Sequence, residues 1–415
     1  MRKNEICIRV RLIPVDRVFA GWLVVIIFVV GIVGCAGKLP RTPLPSELYK
    51  EAHIPGVPEA RFWGDEWPKY SLEKLKTASD DDFSRNYAAL YNKPHNYLAI
   101  SGGGANGAFG AGLLAGWTES GTRPEFTMVT GVSTGALSAP FAFLGPDYDD
   151  ELKEVYTNTD TEDIAKRRYP IYLFLDESLS VTKPLRNMIE HYINNEVIEA
   201  IAREHRKGRR LYIGTANLDA GRSVIWNIGA IAASDYFRRV ELIHDILQAS
   251  SAIPVLFPPV MIPVEVNGRS YDEMHVDGGT GSQVFVYPAA IDWKMIAAKL
   301  KVQGTPGVYV IRNSFIDPDY TEVKRSILPI GSRAIDSLIR TQGIGDLYQI
   351  YTLCMRDGIN FNLAYIPSEF TSAPSEVFDP VYMGKLYSLG YEMAKAGYPW
   401  QQYPPKFFVK ETIKD

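Results

Sequence analysis

Short apolar runs alternate with longer amphipathic stretches along most of the chain. The runs are rich in β-branched and aromatic residues and predict strands near 97–101, 126–130, 210–216, 222–227, 260–265, 271–276, 307–312 and 359–365. The stretches have apolar residues three or four apart and predict helices near 107–119, 134–143, 184–204, 235–250, 285–300, 331–354 and 377–396. Such alternation indicates an α/β fold, with a sheet covered by helices on both faces.

The region before the first of these strands is less regular. Residues 36–70 are rich in proline and show little periodicity, which is typical of an extended tether. Residues 71–95 are polar and predict one short helix.

The first 35 residues carry a targeting pattern. Basic residues precede an apolar run over 18–34, which is short for a membrane span but long enough for the core of a signal peptide. The run ends in the sequence IVGC at Cys35, which resembles the lipobox of bacterial lipoproteins. This resemblance predicts a lipoprotein signal peptide over 1–34 and lipidation of Cys35. The alternative is an uncleaved anchor helix with an incidental cysteine.

The lipobox resemblance also implies a location. A lipid on Cys35 would tether the protein to a membrane without spanning it. By the same resemblance, Ala36 in place of an aspartate points to the outer membrane. We therefore expect a lipid-anchored protein of the bacterial cell envelope, held at the outer membrane and facing the periplasm.

Composition and charge narrow the possible functions. The 415 residues are 46% hydrophobic and 22% charged, as in ordinary globular proteins. Residues 1–34 hold five of the 44 basic and two of the 48 acidic residues, so cleavage would change the net charge from -4 to -7. Without a broad basic surface, nucleic acid is not an expected partner. Three cysteines provide neither a disulfide framework nor a zinc site, and Cys354, in an apolar run, is expected to be buried.

A glycine-rich loop follows the predicted strand at 97–101. Gly102, Gly104 and Gly107 form G-x-G-x-x-G, the pattern that binds a dinucleotide pyrophosphate. That function also requires an acidic residue at the end of the next strand, and Glu125 lies at the opposite end. The same backbone N–H groups suit a transient oxyanion, so nucleotide binding is the less favoured alternative.

A second glycine motif contains a candidate nucleophile. Gly131, Ser133 and Gly135 form G-x-S-x-G between a predicted strand and helix, which is the pattern of a nucleophile elbow. A serine nucleophile needs a base, yet none of the six histidines lies in the last third of the chain, where the usual order of triad residues would place one. The best late acidic candidate is Asp277, in the sequence HVDGG.

His275 is an alternative base. It lies two residues before Asp277 and shares its face if the strand continues that far. A histidine with a pKa of about 6.5 suits neutral pH better than an aspartate at about 3.9. The competing interpretation is a half-exposed histidine that only packs at a strand end.

Four sequence blocks occur together in one order: GGGANG at 102–107, GVSTG at 131–135, ASSAIPVLFPP at 249–259 and DGG at 277–279. Together they resemble the patatin-like phospholipase family over roughly residues 96–280. The resemblance implies a patatin-like three-layer α/β fold with a central, mostly parallel sheet. It places a catalytic domain at 96–313, completed by 314–415, after a tether and N-terminal extension at 35–95.

The resemblance also implies roles for the site residues. Ser133 is the expected nucleophile, Asp277 the expected base of a Ser-Asp dyad, and the loop of Gly102, Gly103 and Gly104 the expected source of oxyanion-hole N–H groups. The implied function is a serine lipid acyl hydrolase of the phospholipase A or lysophospholipase type. Its substrate would be a lipid or another fatty-acyl ester at a membrane surface, and the chemistry needs no metal or organic cofactor.

One residue departs from the family pattern. The family usually has Arg or Lys where this chain has Asn106, so a side chain that helps to fix the loop is missing. This departure is the only support for a function of a different class, a lipoprotein that binds lipid or a partner protein without catalysis. The sequence identifies no protein partner.

Two further segments lie near these motifs. The block at 249–259 has no expected catalytic role and is expected to pack a helix end beside the strand of Asp277. Aromatic residues at 169–175 and 254–260 are candidates for lining an acyl pocket, although most of them are expected in the core. The segment 169–180 is expected to form a rim or lid.

Overall fold

The computed structural model describes residues 41–158, 160–164, 166–167, 180–318 and 320–407. The predicted signal peptide, Cys35 and all but the end of the predicted lid at 169–180 lie outside the described residues. Contacts divide the chain into two units, Met1–Thr42 and Pro43–Asp415, and the second contains all the strands and helices that the structure describes.

The described residues include eleven strands. They are β1 (Arg61–Trp63), β2 (Asn96–Ile100), β3 (Met128–Val132), β4 (Lys166–Arg167), β5 (Ser180–Val181), β6 (Arg210–Asn217), β7 (Arg222–Asn227), β8 (Val260–Val266), β9 (Arg269–Asp277), β10 (Gly307–Phe315) and β11 (Asn360–Ile366). The short β4 and β5 pair with each other, and the other nine strands form one sheet.

The main path of the sheet runs β1, β7, β6, β3, β2, β10 and β11, and the hairpin of β8 and β9 joins it through β6. The five neighbouring strands from β6 to β11 are parallel, whereas β7, β1 and the hairpin add antiparallel pairs. The α/β class with a central, mostly parallel sheet is therefore confirmed. The carboxyl ends of the parallel strands lie at one edge, which is where open α/β sheets bind their ligands.

The described residues also include thirteen α-helices. They are α1 (Lys69–Thr77), α2 (Asp80–Asn86), α3 (Gly107–Glu119), α4 (Thr134–Leu144), α5 (Asp149–Thr157), α6 (Thr161–Ile164), α7 (Lys183–Tyr192), α8 (Asn195–Arg206), α9 (Ile228–Ala232), α10 (Arg239–Ser250), α11 (Trp293–Leu300), α12 (Ile327–Asp357) and α13 (Pro380–Lys395). Within the described part of the chain, no helix is both long and apolar enough to cross a membrane.

Strand β2 shows how the three layers form. Leu98 and Ile100 face a core that includes residues of α3, α4 and α13. Tyr97 and Ala99 face the other way, into a second core with residues of α12 such as Leu347. Successive side chains of a strand point to opposite faces, so a strand covered on both faces is apolar throughout.

The predicted elements are present, but two helices differ in extent. The helix expected over 184–204 is divided into α7 and α8, because the Asn194 side chain accepts the first N–H groups of α8 and so begins a new helix. The helix expected over 285–300 begins only at Trp293, where Asp292 caps α11. Helices α5, α6 and α9 were not predicted.

The extended tether expected over 36–70 is wrong for much of that segment. Ile54, Val57, Ala60 and Trp63 are buried, and β1 pairs with β7 along the edge of the sheet. Despite its prolines, this segment packs its apolar side chains against the domain. Two helices, α1 and α2, follow where one short helix was expected.

The sheet continues past the expected boundary between residues 313 and 314. That boundary falls inside β10, which pairs with β2 on one side and β11 on the other. Residues on both sides of the boundary therefore belong to the same sheet.

Candidate active site

Ser133 lies at the turn between β3 and α4. Its backbone has φ +55° and ψ -126°, a strained conformation for any residue except glycine and one that is common at nucleophile elbows. A Cβ atom at Gly131 or Gly135 would lie 2.3 Å from a backbone oxygen, so neither position accepts a side chain. The two glycines of G-x-S-x-G are therefore required by the close packing of this turn.

The Ser133 backbone is held by a side chain to which the sequence analysis gave no role. The Ser250 hydroxyl accepts the Ser133 N–H at 3.0 Å and donates to the Gly214 carbonyl at 2.7 Å. Ser250 ends α10, and two residues later the Ala252 carbonyl accepts the Asp277 N–H at 2.9 Å. The block at 249–259 thus packs beside the strand of Asp277 as expected, and it also holds the elbow.

Asp277 lies at the end of β9, beside the Ser133 hydroxyl. It reaches this place because β9 pairs with β6, the neighbour of β3. Burial raises the pKa of Asp277 to about 6, although the nearby Ser133 hydroxyl and the hydrogen bond from the Gly279 N–H, at 2.8 Å, act in the opposite direction. Asp277 is therefore a stronger base than an ordinary aspartate and is still ionised at neutral pH.

The predicted oxyanion loop follows β2 and lies against the nucleophile. A Cβ atom on Gly102 would be 3.2 Å from that of Ser133. Gly103 and Gly104 have φ values of +158° and +55°, which favour glycine. The Gly102 N–H donates a hydrogen bond to the Gln283 carbonyl at 3.1 Å. In the described part of the chain, no acceptor binds the N–H of Gly103 or Gly104. The predicted set of three donors is thus reduced to two.

Side chains distant in sequence hold the loop in place. Asn313, fully buried in β10, accepts the Gly110 N–H at 3.1 Å, and its side-chain amide donates to the Ser101 carbonyl at 3.0 Å. The Tyr382 hydroxyl donates to the Asn106 side-chain oxygen at 2.7 Å. These contacts anchor the loop without the Arg or Lys expected at position 106.

His275 belongs to a separate buried network. Its Nδ1 lies 2.9 Å from the Thr215 hydroxyl and its Nε2 lies 3.1 Å from Glu273, which pairs with Arg61 of β1. Burial lowers the pKa of His275, which keeps the ring neutral. Because both ring nitrogens are engaged in this network, the geometry favours Asp277 over His275 as the base for Ser133.

A cleft of about 840 Å³ opens beside this pair. Its walls include the glycine loop, Ile253 and Pro254, the end of β10, the first half of α12, and Tyr382. Only Pro254 of the candidate pocket segment 254–260 lines this cleft. The volume lies in the range of sites that enclose most of a small ligand.

The described residues contain neither a candidate metal site nor an exposed reactive thiol. No group of three or more His, Cys, Asp or Glu residues there has the arrangement to hold a metal ion. Cys354 is buried in the core as predicted, and burial raises the pKa of its thiol to about 12.

A comparison with protein families finds a match over the part of the chain that forms this site. The family described as Patatin-like phospholipase matches residues 98–290, a segment that contains the glycine loop, Ser133 and Asp277. Residues 98–290 are a patatin-like phospholipase domain. The resemblance inferred from the four sequence blocks is confirmed.

Solved structures resemble this chain only distantly. VipD from Legionella pneumophila has 13% identity and a TM-score of 0.37, and the match covers 73% of this chain and 66% of that one. The type III effector protein ExoU has 13% identity and a TM-score of 0.21, with coverage of 73% and 53%. This chain thus spans less than two thirds of either protein. The comparison with curated proteins found no match.

Proposed function

We propose that this chain is a serine lipid acyl hydrolase of the phospholipase A or lysophospholipase type, with Ser133 as nucleophile and Asp277 as base. The observation that carries the proposal is the placement of a strained elbow serine beside a buried carboxylate whose pKa is raised to about 6. The glycine loop beside this pair adds two N–H groups without an acceptor among the described residues.

The proposed reaction has two halves. Ser133 Oγ attacks the carbonyl carbon of a fatty-acyl ester while Asp277 takes its proton, and the N–H groups of Gly103 and Gly104 stabilise the tetrahedral oxyanion. Asp277 then returns the proton to the leaving alcohol, which leaves an acyl-Ser133. Water that gives its proton to Asp277 attacks the acyl group, and the bond to Ser133 breaks as Asp277 passes that proton to Ser133 Oγ, which releases the fatty acid and restores the enzyme. Removal of one oxyanion donor typically costs about 3–4 kcal/mol of barrier stabilisation.

Exposed apolar side chains around the cleft support action at a lipid surface. Ile335, Leu338 and Ile339 of α12 line the cleft and are 45%, 70% and 38% exposed. Val255 and Leu256, 58% and 40% exposed, directly follow two cleft residues of a different segment. Apolar groups collected around one opening mark an interaction surface, and lipid is the partner that also supplies a fatty-acyl ester.

The lipid anchor on Cys35 and the location at the outer membrane remain part of this proposal. An anchor would keep the domain close to its substrate. Cys35→Ser should abolish incorporation of labelled palmitate when the full chain is made in a bacterium. Equal labelling of the variant and the parent chain would exclude lipidation at this residue.

The central experiment measures ester hydrolysis by the full chain purified in detergent. The parent should release p-nitrophenol from medium-chain acyl esters, and Ser133→Ala and Asp277→Ala should fall to the background rate. Ser388→Ala, which removes an exposed hydroxyl on α13, is the matched control and should keep the parent rate. A fluorophosphonate probe should label the parent but not Ser133→Ala. A folded parent chain that neither turns over nor labels would favour the non-catalytic lipid-binding alternative.

A further inference from the structure

Arg312 lies in β10 directly beside the glycine loop. The carbonyl of its neighbour Ile311 accepts the Ser101 N–H at 3.0 Å, and the N–H of its other neighbour, Asn313, donates to the Ser101 hydroxyl at 2.9 Å. The Asn313 side chain points to Gly110 of α3, whereas Arg312 extends to the other face of the sheet, towards α12, and lines the cleft that contains Ser133.

The Arg312 guanidinium is buried, and no described residue forms an ion pair with it. The residue is 2% exposed, its Nε has no acceptor among the described residues, and its one hydrogen bond there is a long one of 3.4 Å to the Arg340 carbonyl. Burial lowers the pKa of Arg312 to about 10, which still leaves it charged at neutral pH. Asp346 attracts it, but that carboxylate already accepts the Gln283 N–H at 2.6 Å.

A second buried arginine, Arg209, has the hydrogen-bond acceptors that a buried arginine with a purely structural role requires. Arg209 is 4% exposed, and its guanidinium donates to Glu204 at 2.9 Å and to the carbonyls of Phe126 and Phe143 at 2.8 and 2.5 Å. A buried charge without such partners is costly, and the cost is met when a ligand supplies the missing acceptors.

Helix α12 leaves space for the Arg312 side chain. A Cβ atom at Gly343 would lie 2.2 Å from its Nη1, so the guanidinium packs where the helix has no side chain. Arg340, one turn earlier on the same helix, lines the same wall of the cleft. Asp317 and Asp336 also line the cleft, so the basic character belongs to this wall and not to the whole opening.

We propose that Arg312 binds an anionic oxygen group of the lipid during the reaction and thereby selects the substrate. This inference rests on the proposed hydrolase function. A guanidinium matches the geometry of two oxygens on phosphate or carboxylate. The two sources of such a group are the headgroup phosphate of a phospholipid and the carboxylate of the released fatty acid. Arg312 and α12 both lie beyond residue 290, so this site is outside the segment that matches the family.

The test compares two substrates with the same acyl chains on the full chain in detergent. Dihexanoyl phosphatidylcholine carries a phosphate and dihexanoylglycerol does not. For Arg312→Met, we expect kcat/KM on the phospholipid to fall about 10- to 100-fold, as for loss of a charge-assisted hydrogen bond, with less than about a threefold change on the neutral lipid. Arg312→Lys should recover part of the lost rate because it restores the charge but not the paired geometry.

Two further variants separate recognition from folding. Gly343→Ala keeps the arginine but displaces its guanidinium, so it should show the same substrate dependence. Arg312→Met should not lower the Tm, because it replaces an uncompensated buried charge with an apolar side chain. Arg209→Met is the matched control and should lower the Tm by several degrees, because it leaves Glu204 without its buried partner.

The outcomes distinguish the possible errors. An equal loss on both lipids, or no loss on either, would overturn the headgroup site. If Arg312→Met hydrolyses both lipids normally but is inhibited less by hexanoate than the parent, the group that Arg312 binds is the carboxylate of the released fatty acid. That result supports the anion site with the product, and not the headgroup phosphate, as its ligand. A parent chain that hydrolyses neither lipid would remove the proposed function and this inference with it.

Discussion

The buried carboxylate of Asp277 should make the folded chain less stable as the pH rises. Its pKa is about 6 in the folded chain, compared with an ordinary value of 3.8. Between these values the unfolded chain has lost the proton and the folded chain keeps it. The stability from the protonated carboxyl is therefore fully present below the unfolded pKa and is lost as the pH rises through about 6. At 1.36 kcal/mol per pKa unit, the loss is about 3 kcal/mol.

Asp277→Asn tests this reasoning because it keeps the shape of the side chain and removes its charge. At about pH 8 the variant should be more stable than the parent by up to about 3 kcal/mol, even though it should be inactive. The gain should shrink as the pH is lowered and vanish near pH 4, because the parent carboxyl is then protonated as well.

The assay is thermal unfolding of the full chain in detergent at a series of pH values between about 4 and 8. Asp317→Asn, which neutralises an exposed carboxylate that lines the same cleft, is the matched control and should show no such trend. An Asp277→Asn chain that is less stable than the parent at pH 8, or whose advantage does not change with pH, would refute the reasoning. In the parent, kcat/KM should decline as the pH falls below about 6, because the proposed base becomes protonated.

Three other substitutions test the structures that support the site. Ser250→Ala should lower kcat by about 10- to 100-fold with little change in KM. It should also lower the free energy of unfolding by about 1–3 kcal/mol, because buried polar groups lose their hydrogen-bond partner. An unchanged kcat in steady-state assays would contradict the positioning role of Ser250. Gly135→Ala should prevent soluble expression, since its Cβ would lie 2.3 Å from a backbone oxygen, whereas Gly331→Ala has no atom within 4 Å and should express normally. Glu273→Gln should destabilise the chain by about 3–5 kcal/mol in urea unfolding because it leaves Arg61 buried without its ion pair, and a loss below about 1 kcal/mol would show that this pair is not important.

Much of the fold was predictable because its signals are local. A parallel strand covered on both faces needs a short, continuous apolar run, and such runs predicted every strand of the large sheet except β1. The errors arose where a local pattern has two meanings. The proline-rich segment at 36–70 has the composition of a tether, but whether Ile54 and Trp63 find an apolar surface depends on the sheet edge at β7. The single helix expected over 184–204 was interrupted by one capping residue, Asn194.

The candidate site, like the fold, was predictable from the sequence only in part. The sequence by itself determined the strained turn at Ser133, because glycines two residues on either side are needed wherever such a turn packs closely. The block pattern also indicated Asp277. Sequence alone did not show that the Gly102 N–H is already donated to Gln283, because that depends on how the two loops approach each other.

Only the tertiary structure decided what supports the proposed dyad. Ser250 reaches the Ser133 backbone across 117 residues and Asn313 reaches Gly110 across 203, and no periodicity or composition records a hydrogen bond between such distant positions. The same holds for Arg312, which in the sequence is one charged residue in an apolar strand. Its burial without an ion-pair partner among the described residues follows from the packing of α12, at Gly343, against the Arg312 side chain, and that packing is not set by any local preference.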